Sequence, residues 1–343
     1  MKKKILVTGG TGYIGSHTSV ELIQEGFDVI IIDNLYNSEA DVADKIHLIT
    51  GVKPLLEVLD LCNQEKLDRF IQNHKDISAI IHFAAYKAVG ESVNKPLDYY
   101  RNNLLSLVNI LTVMKRYDIP DLVFSSSCTV YGQPEKLPVT EDAPLQPATS
   151  PYGNTKQIGE AIIRDTTISD KNTHAISLRY FNPIGAHPSA LIGELPRGVP
   201  ENLVPYITQT GYGLRDELKV FGNNYDTPDG TCIRDYLHVV DLAKAHVIAV
   251  KRLIEGRNKS NYEVFNLGTG KGVSVLEAIK SFERVSGIKL KYKIVGRRPG
   301  DIEKIWADPS FANNELGWKT LSSLDEAMKT AWDWEKVIRN HKL

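Results

Sequence analysis

Two side chains that can move a proton together, Tyr152 and Lys156, stand four residues apart directly after Pro151. On a helix this spacing places both side chains on one face, and proline favours the first helical position. An ammonium about 4 Å from a phenol, at an effective dielectric near 20, favours the phenolate by roughly 4 kcal/mol. We therefore expect Lys156 to lower the pKa of Tyr152 from its usual value of about 10, against the opposing effect of burial. Such a tyrosine would take a proton from a hydroxyl group.

Ser127 belongs to a run of hydroxyl side chains that follows the apolar segment at residues 122–124. Parallel sheets place ligands beyond the carboxyl ends of their strands, so this run predicts a serine that hydrogen-bonds the reacting oxygen and holds it in line. Two alternatives remain open: Tyr152 and Lys156 as a surface pair, and Ser127 as the cap of a turn or helix. The order of strand, hydroxyl run and helix favours the catalytic interpretation.

Three glycines, Gly9, Gly12 and Gly15, lie between the apolar run at residues 5–7 and a helical pattern. Such a turn brings backbone donors and a helix N-terminus against a pyrophosphate. Asp33 follows about 20 residues later, where a carboxylate accepts hydrogen bonds from adenosine ribose hydroxyls and repels a 2′-phosphate. These residues predict a dinucleotide site that prefers NAD to NADP. The alternatives are a plain strand-to-helix turn for the glycines and a cap or turn for Asp33.

Short apolar runs alternate with longer amphipathic segments in the first half of the chain, which predicts an α/β fold with a doubly wound parallel sheet of the Rossmann type. The predicted strands lie at residues 4–8, 28–33, 55–60, 78–84, 121–126 and 174–181. The clearest predicted helix, which should cover one face of the sheet, contains Leu97, Tyr100, Leu104, Leu107, Val108 and Leu111.

Two segments bounded by prolines, residues 134–151 and 183–205, interrupt this alternation and predict long loops. Loops of that length are usually functional. The pattern of apolar residues after Pro205 predicts a helix at residues 242–253, a strand at 262–267 and a helix at 275–285. We expect a dinucleotide-binding domain at residues 1–182 and a smaller α/β substrate-binding domain at 183–343, with parts of 234–267 returning to pack on the first.

The 41 basic and 42 acidic residues give a net charge of -1, which does not indicate a nucleic-acid or membrane-surface partner. Cys62, Cys128 and Cys232 lack the paired spacings of zinc or redox motifs, so we expect reduced thiols in the cytoplasm and no metal site. The apolar run near the first residue is too short for a signal peptide, and no segment approaches the roughly 20 apolar residues of a membrane span.

Nine segments together resemble the extended short-chain dehydrogenases and, within them, the UDP-glucose 4-epimerase family. They are TGGTGYIGSH, DNLYNS, IHFAAYKAVGES, FSSSCTVYG, SPYGNTK, LRYFNPIGAHPS, GTCIRDYLHV, VFNLGTG and RRPGDI, and they span nearly the whole chain. The resemblance implies an isomerase of galactose metabolism that interconverts UDP-glucose and UDP-galactose. In that family the hydride at C4 moves to tightly bound NAD and returns to the other face, and Tyr152 would be the base.

The resemblance also implies roles for single positions. Around the NAD it places Tyr13 and Ile14 at the pyrophosphate, Asp33, Asn34, Leu35, Tyr36, Asn37 and Ser38 at the adenosine, and Asp60 with Leu61 near the adenine. At the nicotinamide half it places Phe83, Ala84, Ala85, Tyr86, Lys87, Asn102, Lys156 and Phe181. Facing the sugar or its phosphates it places Lys87, Ser127, Thr129, Tyr152 and Asn182, and it assigns the UDP to Asn202, Leu203, Lys219, Val220, Phe221, Arg234, Arg298 and Asp301.

The chemistry of the last group agrees with that assignment. Arg234 and Arg298 can pair bidentately with diphosphate oxygens, and Asp301 can accept hydrogen bonds from the uridine ribose. Without the family match, these residues would be read as a solvated charge cluster. His82 ends a buried strand and is expected to be a packed core residue.

Departures from the family pattern leave the sugar specificity open. FAAYK stands where many members have FAGLK, and Cys128 replaces a usual alanine. Ile305 lies where several bacterial relatives carry tyrosine and more permissive ones a smaller residue, and its size lies between the two, so acceptance of N-acetylated hexoses is undecided. By resemblance, helices at residues 94–117 and 151–168 should pair across a homodimer.

Two other functions compete with the epimerase. A nucleotide-sugar 4,6-dehydratase shares the cofactor, tyrosine and lysine but typically needs an Asp-Glu pair after the strand that ends at Phe124. This chain has Cys128 and Thr129 there. A non-catalytic NAD-sensing module needs no activated tyrosine, so the set of Ser127, Tyr152 and Lys156 argues against it.

Overall fold

The computed structural model describes residues 2–298 and 301–340. Its strands are β1 Lys4–Thr8, β2 Asp28–Asp33, β3 Leu55–Val58, β4 Ile77–His82, β5 Asp121–Ser127, β6 His174–Tyr180, β7 Asn182–Ile184, β8 Leu218–Phe221, β9 Ile233–Arg234, β10 Tyr236–His238, β11 Tyr262–Leu267, β12 Val273–Ser274, β13 Tyr292–Val295 and β14 Lys304–Ile305. Its α-helices are α1 Tyr13–Gln24, α2 Val42–Thr50, α3 Gln64–Gln72, α4 Val89–Asn94, α5 Pro96–Arg116, α6 Pro151–Ser169, α7 Leu203–Tyr212, α8 Val239–Ile254, α9 Val275–Ser286 and α10 Leu324–Asn340.

Seven parallel strands form the central sheet in the order β11-β6-β5-β4-β1-β2-β3. The predicted doubly wound parallel sheet is therefore confirmed. The strand order reverses between β1 and β4, and ligands of such sheets bind in the crevice that this reversal opens at the carboxyl ends of the strands. The seventh strand, β11, comes from the later half of the chain and pairs with β6 from Tyr262 opposite Ala175 to Leu267 opposite Tyr180.

Helices cover both faces of the sheet, because alternate residues of each strand point to opposite sides. On β1, Ile5 and Val7 belong to the core beneath α1, α2 and α8, whereas Leu6 belongs to the core beneath α3, α5 and α6. A sheet buried on both faces needs strands that are apolar along their length, and the run at residues 5–7 meets that need. Each fully buried aliphatic side chain contributes about 1.5–3 kcal/mol to folding.

The predicted helix after residue 94 is confirmed as α5, but its apolar residues do not share one face. Leu107 and Leu111 are buried against the sheet, whereas Leu97 is 78% and Val108 is 42% exposed. The prediction that this helix covers one face of the sheet is confirmed, and its inward face also carries Tyr99, which is fully buried. The outward face of α5 is consequently apolar and open.

The first proline-bounded segment is confirmed as a loop, whereas the second is shorter than predicted. Residues 134–150 connect elements without helix or strand of their own. The second segment begins with β7, and its last residue, Pro205, lies in the first turn of α7. Proline is tolerated there because the first-turn N–H groups have no partner within the helix.

The later half of the chain builds smaller sheets beside the central one. They have the orders β10-β7, β12-β9-β14 and β13-β8, and a separate apolar core gathers α7, α9 and α10 around Phe282 and Trp332. The predicted strand at 262–267 and helices at 242–253 and 275–285 match β11, α8 and α9. Across the described part of the chain, no helix has both the length and the apolar character to cross a membrane.

Candidate active site

The turn between β1 and α1 packs so closely against neighbouring backbone that two of its glycines have no room for a side chain. Gly9 has a φ of 70°, and a Cβ on it would lie 2.8 Å from the Ala84 nitrogen. A Cβ on Gly15 would lie 2.2 Å from the Gly9 carbonyl oxygen. Gly12 is the N-cap of α1 and contributes no side-chain acceptor, so a ligand can take the first backbone donors of the helix. This turn fits a pyrophosphate.

Asp33 ends β2 beside the glycine turn and is only 8% exposed. Its carboxylate accepts hydrogen bonds from the backbone nitrogens of Thr11 at 3.2 Å and Leu35 at 2.9 Å. The Ser38 hydroxyl donates to the same carboxylate at 3.2 Å and lies 2.7 Å from the Thr11 hydroxyl. The structure thus holds Asp33 and Ser38 at the glycine turn, where the sequence predicted adenosine contacts.

A cavity of about 390 Å³ opens among the loops after β2, β3 and β4 and the first half of α5. Its lining includes Tyr36, Asp60, Tyr86 and Asn102. The rings of Tyr36 and Tyr86 lie 4.7 Å apart, centre to centre, with a tilt of 37°. Four residues predicted for the two halves of a dinucleotide, drawn from three separate loops and α5, therefore surround one space.

The three predicted catalytic side chains converge at the carboxyl end of β5. Ser127 is the last residue of β5, while Tyr152 lies in the first turn of α6 and Lys156 one turn later. The Lys156 ammonium donates to the Ser125 carbonyl oxygen at 2.6 Å and lies 5.9 Å from the centre of the Tyr152 ring. The first turn of α6 is capped by Ser150, whose hydroxyl accepts from the Gly153 nitrogen at 3.1 Å.

Burial has the largest effect on the pKa values of Tyr152 and Lys156. It raises the pKa of Tyr152 to about 12, and hydrogen bonding by Ser127 opposes this only in part. It also lowers the pKa of Lys156 to about 8, although the Glu160 carboxylate acts in the opposite direction. The prediction that Lys156 brings the pKa of Tyr152 below 10 is wrong for this arrangement, because burial of the phenol outweighs the effect of the ammonium, which lies 5.9 Å from the centre of the ring. More positive charge beside the phenol is needed before it serves as a base.

His82 is confirmed as a packed residue of the sheet. It is 2% exposed, and its Nδ1 lies 2.8 Å from the Thr8 hydroxyl. Burial lowers its pKa to about 3, so the ring is neutral at physiological pH.

The predicted UDP residues lie on short strands and loops of the later half. Arg234, on β9, donates to the Asp301 carboxylate at 2.7 Å, and the Cys232 thiol approaches the other oxygen of that carboxylate at 3.6 Å. Arg298 is exposed, and its carbonyl oxygen accepts from the Asp301 nitrogen at 3.2 Å. Lys219, Val220 and Phe221 are on β8, Asn202 precedes α7, and Leu203 begins it. Residues 299 and 300 of the RRPGDI motif lie outside the described residues.

One apolar cluster, which we term the apolar wall, contains residues predicted for the nicotinamide and for the sugar. Phe181 and Ile305 are 3% and 2% exposed, belong to one cluster, and have Cys128 packed against them. Thr129 follows on a short 3-10 helix, and Asn182 begins β7 directly after Phe181. This wall is where sequence predicted the sugar and the nicotinamide to meet.

Glu194 is a charged residue of this region that sequence reasoning missed. Its carboxylate accepts from the Lys87 ammonium at 3.0 Å and from the Asn202 side chain at 2.7 Å. Lys87 lies 107 residues away in the chain, so no local pattern connects the two. The length of the loop that carries Glu194 was the one available signal.

Comparison with known proteins extends over nearly the whole chain. Residues 6–331 match the family model of GDP-mannose 4,6 dehydratase. The chain is 49% identical to UDP-glucose 4-epimerase of Bacillus subtilis over 332 residues, 96% of each protein. It is similar to the structure of UDP-glucose 4-epimerase from Stenotrophomonas maltophila with bound NAD and formylated UDP-arabinopyranose, with 45% identity, a TM-score of 0.95 and 99% of both chains covered. The enzyme from Bifidobacterium longum in complex with NAD+ and UDP gives 45% identity and a TM-score of 0.94, with 98% of this chain and 99% of that chain covered.

The family model carries the name of a dehydratase, so the residues after β5 decide between the two chemistries. Dehydratases typically place an Asp-Glu pair there, whereas this chain places Cys128 and Thr129. Relatives that share almost half of its residues over 96% or more of its length are 4-epimerases. The chain belongs to the UDP-glucose 4-epimerase family.

Proposed function

We propose that the protein interconverts UDP-glucose and UDP-galactose by inverting C4 of the hexose, with NAD as a tightly held cofactor. The observation that carries this proposal is the convergence of Ser127, Tyr152 and Lys156 at the carboxyl edge of the sheet, the same edge that carries the glycine turn. Relatives of the same length and fold are UDP-glucose 4-epimerases, and solved ones hold NAD together with UDP or a UDP-sugar.

The residues around the glycine turn and the 390 Å³ cavity form the proposed NAD site. NAD held by these residues would supply the hydride acceptor and donor for C4 and, when oxidised, a positive charge at its nicotinamide end. Asp33 accepts the adenosine ribose hydroxyls and disfavours the 2′-phosphate of NADP. The remaining assignments that the family resemblance implies, from Tyr13 to Phe181, are part of this proposal.

Tyr152 takes the O4 proton and later returns it. The Lys156 ammonium lies beside the phenol in a position fixed by the Ser125 carbonyl oxygen. Since the pKa of Tyr152 is about 12 with that ammonium in place, its hydroxyl needs the further positive charge that a nicotinamide ring would add before it is ionised at neutral pH. Ser127 hydrogen-bonds O4 and keeps the C4–H bond directed at the hydride acceptor.

Inversion requires the UDP to be held tightly while the hexose turns about its link to the diphosphate. Permanently charged planar donors suit the diphosphate, and we assign this role to Arg234 and Arg298. The Asp301 carboxylate orients the Arg234 guanidinium through their 2.7 Å contact and is placed to accept from the uridine ribose. Lys87, Thr129 and Asn182 face the sugar, where contacts that bind the hexose less strongly permit its rotation.

One assay separates the competing functions. Purified protein receives UDP-galactose without added NAD, and the products are identified by chromatography. UDP-glucose supports the epimerase with a retained cofactor, whereas a 4-keto-6-deoxy product establishes a dehydratase. Retained NAD with no conversion would indicate a module that senses the dinucleotide without catalysis.

We further propose that the protein acts as a homodimer in which α5 and α6 pair with the same helices of a second copy. Leu97 and Val108 on α5 and Ile168 on α6 are 78%, 42% and 61% exposed, and such apolar faces favour a protein partner. Sedimentation at micromolar concentration tests this. A species of 38.3 kDa, the mass of one chain, would contradict the proposal.

We also propose a cytoplasmic location and a two-domain division near residue 182. Cys62, Cys128 and Cys232 are free, as expected in a reducing compartment. The separate core around Phe282 and Trp332 supports a second domain that carries the UDP residues. Limited proteolysis, followed by mass analysis of the fragments, would locate a boundary if the two parts separate.

A further inference from the structure

Arg197 makes three hydrogen bonds to the loop that follows β2, and none of the assignments above uses it. Its guanidinium donates to the backbone oxygens of Tyr36 at 2.8 Å and Ser38 at 2.9 Å. It also donates to the Glu39 carboxylate at 2.9 Å. Arg197 belongs to the long loop at residues 185–202, which we term the strap, and its bonds therefore join the strap to the proposed adenosine site.

The strap also contacts the loop after β4 and the first residue of α1. Glu194 accepts from Lys87, in the loop after β4, at 3.0 Å. The Gly185 carbonyl oxygen accepts from the hydroxyl of Tyr13, the first residue of α1, at 2.7 Å. Since β1 lies between β2 and β4, these contacts show that the strap spans the carboxyl end of β1 and its glycine turn.

The base of the strap is fixed to the later half of the chain. The Trp334 indole, on α10, donates to the Glu194 carbonyl oxygen at 2.9 Å. A Cβ on Gly193 would lie 2.6 Å from the same indole ring, so the backbone packs directly on it. Within the strap, Asn202 donates to the Glu194 carboxylate at 2.7 Å. Arg197 therefore extends from a segment whose backbone is held against α10.

The loop held by Arg197 has a backbone that needs support. Leu35 has a φ of 58°, in the left-handed region that disfavours side chains larger than glycine. The Asp33 carboxylate accepts from the Leu35 nitrogen at 2.9 Å on one side of this residue. Arg197 holds the backbone oxygens of Tyr36 and Ser38 on the other side, so it stabilises the loop shape that surrounds the proposed adenosine site.

We infer that Arg197 is a cofactor-retaining residue, which slows escape of NAD by joining the strap to the loop after β2. The inference rests on the proposed function. Separation of that loop from the strap requires the three hydrogen bonds of Arg197 to break. The Lys87 and Glu194 contact still joins the strap to the loop after β4, so loss of Arg197 releases the adenosine side alone.

The rate of NAD release tests this inference. Parent and Arg197→Ala protein are loaded with isotopically labelled NAD, unlabelled NAD is added in excess, and the label that stays with the protein is followed over time. We expect release about tenfold faster from Arg197→Ala, which corresponds to about 1.4 kcal/mol. Arg197→Lys keeps the charge but loses the planar fork, so its rate should lie between the two.

One further variant separates the contribution of the Glu39 ion pair from that of the two bonds to backbone oxygens, and another serves as the control. Glu39→Ala removes the ion pair but leaves both bonds to backbone oxygens, so its release rate should rise less than that of Arg197→Ala. Arg257→Ala is the matched control, because Arg257 pairs with Glu255 at a similar exposure, 53% and 52%, against 50% and 59% for Arg197 and Glu39. We expect this control to release NAD at the parent rate.

Equal release rates, within about twofold, from parent and Arg197→Ala would overturn the inference. A parent protein that retains labelled NAD and converts UDP-galactose leaves the proposed function intact in that case, so the failure concerns Arg197 alone. A parent protein that retains no labelled NAD contradicts both the proposed function and the inference.

Discussion

Glu160 and Arg179 form a buried, bidentate ion pair. Nε of Arg179 donates to one carboxylate oxygen at 2.9 Å and Nη2 to the other at 2.6 Å, and each side chain is 6% exposed. Glu160 lies one helical turn after Lys156 on α6, whereas Arg179 is on β6. The pair therefore fixes the helix that carries the proposed base to the central sheet.

Removal of one partner should leave an uncompensated charge inside the protein. We expect Glu160→Ala to lower the free energy of unfolding by about 3–5 kcal/mol, measured by urea denaturation. Glu255→Ala, at an exposed ion pair, should change it by less than about 0.5 kcal/mol. Equal effects of the two substitutions would show that the buried pair does not support the fold.

Substitution Tyr152→Phe tests the proposed base. It removes one hydroxyl and keeps the ring, so we expect kcat to fall by about 10²–10⁴-fold while the protein still retains NAD. Turnover is measured with UDP-galactose, and bound NAD is measured after denaturation. Tyr117→Phe at the end of α5 is the control. A Tyr152→Phe variant within a few-fold of the parent rate would show that another group takes the proton.

The buried ammonium of Lys156 predicts how stability changes with pH. Burial lowers its pKa from 10.5 to about 8. Below pH 8 the lysine is charged in both states, and the cost of burying that charge is fully present. Between about pH 8 and 10.5 the unfolded chain binds more protons here than the folded protein, so the free energy of unfolding rises with pH, by about 3 kcal/mol over the whole window.

Lys156→Met removes this titration. We therefore expect the parent protein to gain stability relative to Lys156→Met as the pH rises from 7.5 to 9.5. Urea denaturation of both proteins at the two pH values measures the difference. A constant difference would mean that the folded and unfolded pKa values of Lys156 coincide.

Ile305 tests the sugar specificity that the sequence left open. It is 2% exposed in the apolar wall with Phe181, and the family resemblance relates this position to acceptance of an N-acetyl group. We expect Ile305→Ala to raise the ratio of kcat/KM for UDP-N-acetylgalactosamine over UDP-galactose by about tenfold, since a few carbon atoms in a pocket change specificity by about 1–3 kcal/mol. The exposed Ile294→Ala is the control, and an unchanged ratio would remove Ile305 from the pocket.

Arg234 tests the UDP assignment. Arg234→Lys keeps the charge but loses the planar pair of donors, so we expect KM for UDP-galactose to rise about tenfold or more. NAD retention should match the parent, because Arg234 lies on β9 with the UDP residues. A KM that stays unchanged would assign Arg234 to the pairing with Asp301 alone.

The features that sequence predicted correctly depend on neighbours in the chain. The glycine turn follows β1 and Asp33 ends β2, and both strands contain uninterrupted apolar runs, at residues 5–7 and 29–32, so local order was enough to place them at one edge of a parallel sheet. Tyr152 and Lys156 share a helix, and their spacing fixes their common face. These elements agree with the structure because no distant contact is needed to define them.

The features that sequence did not predict depend on distant contacts or on solvent exclusion. Glu194 and Arg197 reach the loops after β4 and β2 across more than a hundred residues. The pKa of Tyr152 rises because the folded chain excludes water from it, which no spacing records. The apolar residues of α5 face two directions because the sheet occupies only one side of the helix.

The seventh strand of the sheet has a consequence for synthesis on the ribosome. β6 is complete at residue 180, but its partner β11 ends at residue 267. Until the nascent chain reaches that point, the apolar β6 is an open edge, and open edges pair with other chains. Translation pauses or truncations between these two residues should therefore yield aggregates, and binding of a chaperone to β6 during this interval would protect the growing polypeptide.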